Sequence, residues 1–342
     1  MAEAAEAFMQ RYAVPGLSVA VGHSGRLVYQ DAFGWSDRAA SEPATPAHLF
    51  RIASISKSIT SVAAFMLIEE GRLSLSDRVF GRSAVLGTDY GQQPYPAMVE
   101  EVTIEHLLTH TCGGWSNQDR DPMFNNKQMN HAQLIDWTLR NRPLENPPGR
   151  AYAYSNFGYC LLGRVIERIT RRPYADYVGD AVLRRCGITD MAIAGNTLAQ
   201  RRRGEVKYYG QNGEDPYGMN VARMDSHGGW VASPASLVQF AMHVGGFAKP
   251  VSIIKPATIA AMTTSSPLNA NYARGWRVNR SNNWWHTGSL PGTCTIMVRV
   301  HTGFCWAAVA NSRDTVAAKS LMPHDLDRLL WTMVRKVKSW RA

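Results

Sequence analysis

Ser54 and Lys57 stand three residues apart in the tetrad Ser54-Ile55-Ser56-Lys57. Three residues are just short of one helical turn, so on a helix a serine and a lysine at this spacing face the same way and their tips can meet. A serine hydroxyl alone is a poor nucleophile; a neighbouring amine held neutral can take its proton, and a helix N-terminus favours negative charge developing beside it. The same pattern also makes an ordinary helix N-cap. The chain holds a second tetrad of the kind, Ser252-Ile253-Ile254-Lys255, which runs straight into Pro256. Proline pushes the residue before it away from helical geometry, so this pair is expected in a loop entering a helix from Pro256 to Met262, not in a reactive site.

Two further groups carry polar chemistry far along the chain. Tyr154-Ser155-Asn156 follows Pro148-Gly149 and precedes an apolar run from Gly158 to Gly163. A phenol near an amine can move a proton between nucleophile and leaving group, and an Asn amide can orient a lysine and hydrogen-bond a carbonyl; alone, the tripeptide also reads as a turn plus a helix cap. His286-Thr287-Gly288 lies between Trp284-Trp285 and Ser289-Leu290-Pro291-Gly292. A glycine in a strand lets another backbone or a ligand come close, and a strand edge beside a helix N-terminus can supply an amide to an oxyanion.

Taken together, in the order S-x-x-K, Y-x-N, H-T-G, these motifs resemble the serine β-lactamase and penicillin-binding protein superfamily, in particular its class C-like branch with DD-peptidases, D-aminopeptidases and β-lactamase-fold esterases. The resemblance spans nearly the whole chain. Val14 to Val21 looks like the first strand, Leu107-Leu108-Thr109-His110-Thr111 like the helical signature, Gly228 to Ser233 like the segment returning to the sheet, and Gly275-Trp276 like the lead-in to the third motif. It implies Ser54 as an acylated nucleophile, Lys57 and Tyr154 as the proton-handling pair, and Asn156 as a contact to substrate and to Lys57. His286, Thr287, Gly288 and Ser289 would line the substrate side, His286 toward a carboxylate or leaving group, with the amides of Ser54 and Ser289 as the oxyanion hole. Most β-lactamases carry Lys where this chain has His286, and an imidazole is only partly charged near neutral pH, so weak or no β-lactamase activity is expected. Replacing His286 by Lys is expected to favour carboxylate-bearing substrates. Cys112 replaces a small hydroxyl residue of the relatives and reads as a buried thiol.

The elements that must position these residues are readable from patterning. The tetrad is preceded by a strand-like Leu49 to Ala53 and followed by Ile59, Val62, Ala63, Phe65, Met66 and Ile68 at helical spacing up to Gly71, which predicts a buried helix. Leu17–Val21 and Leu27–Phe33 read as a hairpin around Ser24-Gly25, and Thr293–Val300 with Cys305–Asn311 as another around His301-Thr302-Gly303. The middle of the chain reads mainly as helices, and Leu326, Leu329, Leu330, Met333, Val334 and Val337 mark one face of a last helix. The fold expected is α/β plus all-α and β-lactamase-like: an antiparallel sheet flanked by terminal helices, built from residues 1–50 and 228–342. A helical lobe is inserted at 51–227, with the site between them.

At 342 residues the chain exceeds a typical single core yet shows no linker or repeat. Its 37 basic against 27 acidic residues favour anionic surfaces or substrates. Arg201-Arg202-Arg203 lacks aromatic interleaving and reads as a solvated loop, so no nucleic-acid partner is expected. Five cysteines without C-x-x-C make neither a zinc site nor a full disulfide set, and His106 with His110 lacks a third ligand; no metal or cofactor is expected. No stretch is apolar enough to span a bilayer, and Glu3 to Tyr12 reads as an amphipathic helix without a signal h-region, which leaves the compartment open. The function expected is a serine hydrolase acting on esters or amides of small acyl groups, as a monomer or weak homo-oligomer. The alternatives are a D-amino-acid-specific peptidase or DD-carboxypeptidase, and a binding protein that kept the fold without turnover. Pocket walls are expected from Trp115 to Asn126 and from Arg201 to Tyr217.

Overall fold

The computed structural model describes residues 1–118, 120–315, 320–337 and 340. Its strands are β1 (Gly16–His23), β2 (Arg26–Asp37), β3 (Glu42–Pro43), β4 (Phe50–Arg51), β5 (Ala192–Ile193), β6 (Trp230–Ala232), β7 (Arg277–Val278), β8 (Trp284–Leu290), β9 (Thr293–Arg299) and β10 (Phe304–Ala310). Seven of them form one antiparallel sheet in the order β3-β2-β1-β10-β9-β8-β7, so strands from the two ends of the chain meet at its centre through β1 and β10. The first hairpin turns at Ser24 and Gly25, both at positive φ (52° and 81°), the backbone that a two-residue turn matched to strand twist requires.

Period-2 alternation gives the sheet two apolar faces. Leu17, Val19 and Val21 of β1 and Cys294, Ile296 and Val298 of β9 pack under the terminal helices Ala2–Tyr12 and Met322–Lys336. The opposite face, with Ala20, Met297, Ala307 and Val309, meets the helix Pro234–Val244 and continues into the helical region. A small sheet, β4-β6-β5, ties residues near 50, 192 and 231 together. Among the described residues no helix is long and apolar enough to cross a membrane.

The helix Ser56–Glu69 is buried along nearly its whole length. Its hydroxyls therefore need partners inside the protein, and they find them on distant segments. Ser58 Oγ donates to the Gly275 carbonyl (2.8 Å), Ser61 Oγ to the Arg274 carbonyl (2.6 Å) and Thr60 Oγ1 to the Ser226 carbonyl (2.6 Å). Gly275 sits at φ 82°, and a side chain there would strike Ser61, so glycine is what lets the strand lead-in lie on this helix.

Candidate active site

β4 ends at Arg51, and Ser54 lies on a short 3-10 turn, Ala53–Ile55, ahead of the helix Ser56–Glu69, not within its first α turn as the spacing predicts. Ala53 is held at φ 48°, a left-handed conformation that costs a non-glycine residue about 1–2 kcal/mol. Strand β9 supplies the restraint. Thr293 Oγ1 donates to the Arg51 carbonyl (2.9 Å) and Thr295 Oγ1 to the Ile52 carbonyl (3.0 Å), while the Ile52 amide donates to the Trp230 carbonyl (2.9 Å). Gly288 of β8 packs directly on the turn; a Cβ there would collide with the Ile52 carbonyl and the Thr295 hydroxyl. The glycine of the third motif is thus explained by close approach of β8 to the serine.

Lys57 is fully buried. Its Nζ lies 3.0 Å from Ser54 Oγ, 2.7 Å from Asn156 Oδ1 and 2.9 Å from the His227 carbonyl. Burial lowers its amine to about 7, against the opposing pull of the Asp121 carboxylate. The Tyr154 ring lies 4.9 Å from Nζ and its hydroxyl shares a hydrogen bond with Ser54. Burial raises the Tyr154 phenol, the Ser54 contact pulling the other way. Ser155 does cap the helix Asn156–Thr170, accepting from the Gly158 amide (3.0 Å), and its own hydroxyl donates to the Trp115 carbonyl (2.6 Å). The cap and the site are one construction: fixing Ser155 sets Tyr154 and Asn156 on either side of it.

The imidazole of His286 departs from the sequence expectation of partial charge. It is 2% exposed, and burial, reinforced by the Lys57 charge, lowers it to about 3. Both ring nitrogens are engaged: Nδ1 lies 2.7 Å from the Thr287 carbonyl and Nε2 3.2 Å from the Tyr272 hydroxyl. Tyr272 Oη is also 3.0 Å from His110 Nε2, and His110 Nδ1 accepts from the Ser155 amide (3.1 Å). Only one proton arrangement satisfies every contact. The Ser155 N–H donates to His110 Nδ1, His110 Nε2–H to Tyr272 Oη, Tyr272 O–H to His286 Nε2, and His286 Nδ1–H to the Thr287 carbonyl. Both imidazoles are neutral in it, and His110 too is driven well below its usual range by burial.

These residues converge on a cavity of about 560 Å³, whose walls include Ser54, Tyr154, Asn156, His286, Thr287 and Ser289. Lys57 lies behind Ser54, and Gly288, within β8, backs the turn that carries Ser54. The wall also carries charged residues to which sequence reasoning gave no role: Asp121, within the expected loop, and Arg277 and Arg313, outside both expected segments. Arg277 is exposed and, among the described residues, has no ion pair; its pairing with Trp285 across β7 and β8 puts it on the face that carries Thr287 and Ser289. No motif marks it. The loop from Trp115 to Asn126, of which Asp119 lies outside the described residues, contributes Asn117, Asp121, Phe124 and Asn125 to the wall. The segment Arg201 to Tyr217 lies behind it instead: Glu214 pairs with the wall residue Arg313, and Tyr208 stacks under Arg51.

The remaining candidates separate cleanly. Ser252 and Lys255 sit in the loop before the helix Pro256–Thr263, at a different cavity. Burial pushes the Cys112 thiol up to about 12, so it is inert. His106 closes a capping box with Thr103 and His110 belongs to the relay, and no metal-binding cluster occurs among the described residues.

A sequence model of the Beta-lactamase family matches residues 1–328. Penicillin-binding protein 4* of Bacillus subtilis strain 168 is 25% identical over 308 residues, covering 82% of this chain and 64% of that protein. The chain spans between about a third and two thirds of the length of the curated relatives it matches. The structure of D-amino acid amidase from Ochrobactrum anthropi SV3 complexed with L-phenylalanine amide superposes with a TM-score of 0.78 at 22% identity, over 98% of this chain and 97% of that one. The octameric penicillin-binding protein homologue from Pyrococcus abyssi does so with a TM-score of 0.77 at 23% identity, over 98% of this chain and 76% of that one. At these identities the likeness to the two structures is one of fold.

Proposed function

This chain belongs to the β-lactamase family, and we propose that it is a serine hydrolase that forms an acyl-enzyme on Ser54 from esters or amides of small acyl groups. The observation that carries the proposal is the Lys57 amine. Half-deprotonated near pH 7, in its neutral form it donates to Asn156 Oδ1 and the His227 carbonyl and has one lone pair left, facing Ser54 Oγ. That lone pair takes the Ser54 proton as Oγ attacks the substrate carbonyl. The Tyr154 phenol is raised by burial and so is protonated in the resting site; it gives its proton to the leaving group and recovers one from the Lys57 ammonium formed when Ser54 attacks, so Lys57 is the first acceptor. In deacylation the neutral Lys57 amine, relayed by Tyr154, takes the proton of the attacking water and returns it to Ser54 Oγ as the acyl bond breaks.

The developing oxyanion is met by two amides. Ser54 N–H opens a helical turn and has no intrahelical partner. Along an antiparallel ladder bonded and non-bonded pairs alternate; with Leu290–Thr293 closing the two-residue turn, the Ser289 N–H points away from β9, toward the cavity. The cleft lies between the lobe of residues 1–50 and 228–342 and the inserted lobe of 51–227.

A peptidase or amidase for D-amino-acid substrates is the second reading, favoured by the exposed Arg277 on the wall, which has no ion pair among the described residues and whose guanidinium suits a substrate carboxylate, and by the fold shared with D-amino acid amidase. The size of the cavity suits small acyl groups in either case, and we take the protein to act as a monomer or weak oligomer. Incubation with a fluorophosphonate or a slow ester, followed by intact mass and peptide mapping, should place one adduct on Ser54, with Ser54→Ala inert and Ser252→Ala unaffected. An adduct elsewhere, or none, overturns the proposal in favour of a binding protein. A parallel assay of p-nitrophenyl esters, D-amino-acid anilides, a D-Ala-D-Ala peptide and nitrocefin chooses between the two substrate classes.

A further inference from the structure

Asn156 can hold Lys57 in only one of its two amide orientations. Its Oδ1 must face the amine, which puts Nδ2 on the far side, and there Nδ2 donates to Asp121 Oδ2 (2.6 Å). The other oxygen, Asp121 Oδ1, accepts from the Met123 amide (2.9 Å) and so caps the turn Pro122–Asn125. Arg223 fastens that turn and the loop after it through the carbonyls of Met123, Asn126 and Met129. Asp121 is 8% exposed. Burial pushes its carboxyl up, yet both oxygens accept from N–H donors and, among the described residues, neither meets an acceptor, which is the environment of a carboxylate.

Building on the reading of Ser54 and Lys57 above, we propose that Asp121 is a positioning residue that locks the Asn156 amide toward Lys57 and, through its negative charge, sets the pH at which that amine becomes a base. The other groups facing Lys57 do not supply such a charge. The rings of Tyr154 and Tyr159 are held as neutral phenols by burial, and His110, His227 and His286 as neutral imidazoles. Arg223 faces Asp121 and partly offsets it. Among the described residues Asp121 is the carboxylate whose field reaches Lys57, through a single bridging amide. Without it the amine is desolvated and uncompensated, the Asn156 amide is free to flip, and protonation of Lys57 becomes harder.

The test removes the charge in two ways: Asp121→Asn keeps the shape, and Asp121→Ser keeps a cap for the Met123 amide. An opposite charge near an ionisable group shifts it by about 1–3 units, and the intervening amide puts this case at the lower end. The acid limb of kcat/KM for a neutral ester should therefore move down by about one pH unit in both variants, with a reduced plateau from the loosened Asn156. The lysine 13Cε titration, with the Lys57 signal identified by its loss in Lys57→Arg, should show the same downward move. A lowered plateau with the acid limb and the titration unmoved would make Asp121 a structural cap only and overturn the inference. Because the titration does not need turnover, it separates failure of this inference from failure of the Ser54 reading: if Ser54 takes no label but the Lys57 midpoint still follows Asp121, only the catalytic reading falls.

Discussion

The pH dependence of acylation is the sharpest consequence of the buried amine. An ordinary lysine, near 10.5, is neutral in only about three molecules in ten thousand at pH 7; at a midpoint of about 7 half are neutral. The fold thus raises the fraction carrying a usable base by about three orders of magnitude, equivalent to about 5 kcal/mol of differential interaction. The sign follows from the group being a base whose native value is depressed: activity is lost as pH falls through 7, about tenfold per unit, leaving about one part in a hundred at pH 5. The assay is kcat/KM for an uncharged ester between pH 5 and 9, which reports free-enzyme ionisations. A histidine would normally be suspected of such an inflexion, but His286 is driven to about 3 and His110 and His227 well below their usual range, in each case chiefly by burial. His286→Gln should therefore leave the midpoint within a few tenths of a unit. A flat profile from 6 to 8, or an inflexion that disappears in His286→Gln, would refute the assignment of the base to Lys57.

Four more outcomes follow from other contacts. Asp225 is buried, and although burial raises its carboxyl, the bonds from His131 and Arg164 (2.5 Å from Arg164 Nη2) hold it well below the usual range; Asp225→Ala should cost about 3 kcal/mol in denaturant unfolding at pH 7, because it leaves the buried Arg164 cation with only the partly exposed Glu167 as its ion-pair partner. That contribution is full above the unfolded value near 4 and is lost as pH falls through the lower native one, so an equal deficit at pH 7 and pH 2 would contradict it. Gly288→Ala, which forces β8 off the Ser54 turn, should lower kcat/KM on the order of a hundredfold, and near wild-type activity would show that the turn does not depend on that approach. Arg277→Ala should reduce the ratio of kcat/KM for anionic over neutral substrates by about tenfold. His286→Lys should not raise that ratio, and should destabilise the protein, because the new ammonium would be buried against Tyr272; a rise would restore His286 as the carboxylate contact.

The local part of the site was legible from the chain itself. Ser54 and Lys57 are close because they are three residues apart, and the hairpins around Ser24-Gly25 and His301–Gly303 follow from alternation and turn residues. The three motifs, read together, pointed to one cleft although Lys57 and Asn156 are separated by 99 residues. Asp121 and Arg277 were not legible, since an aspartate in a polar loop and an arginine before a strand resemble many solvated residues. Their meaning comes from what folds against them. The support of the serine turn was hidden for the same reason: Thr293 and Thr295 look like ordinary strand threonines until their hydroxyls are seen on the carbonyls of Arg51 and Ile52.

The expected charge on His286 failed for a different physical reason. Residue type gives an imidazole a value near 6.5 in water, and the motif alone does not reveal burial. Tyr272, fourteen residues away, decides the matter: its hydroxyl donates to His286 Nε2 only because it accepts from His110, which in turn is fixed by the Ser155 amide. Each donor in that line uses up the next acceptor, so protonating His286 at Nε2 would set two donors against each other inside a closed core. The same logic, run with a carboxylate at its end, operates on the other side of Ser54. There Asp121 orients Asn156, which orients Lys57. On the proposed mechanism the motif residues bring the reacting atoms, and a tyrosine and an aspartate outside the motifs determine which of those atoms carry protons.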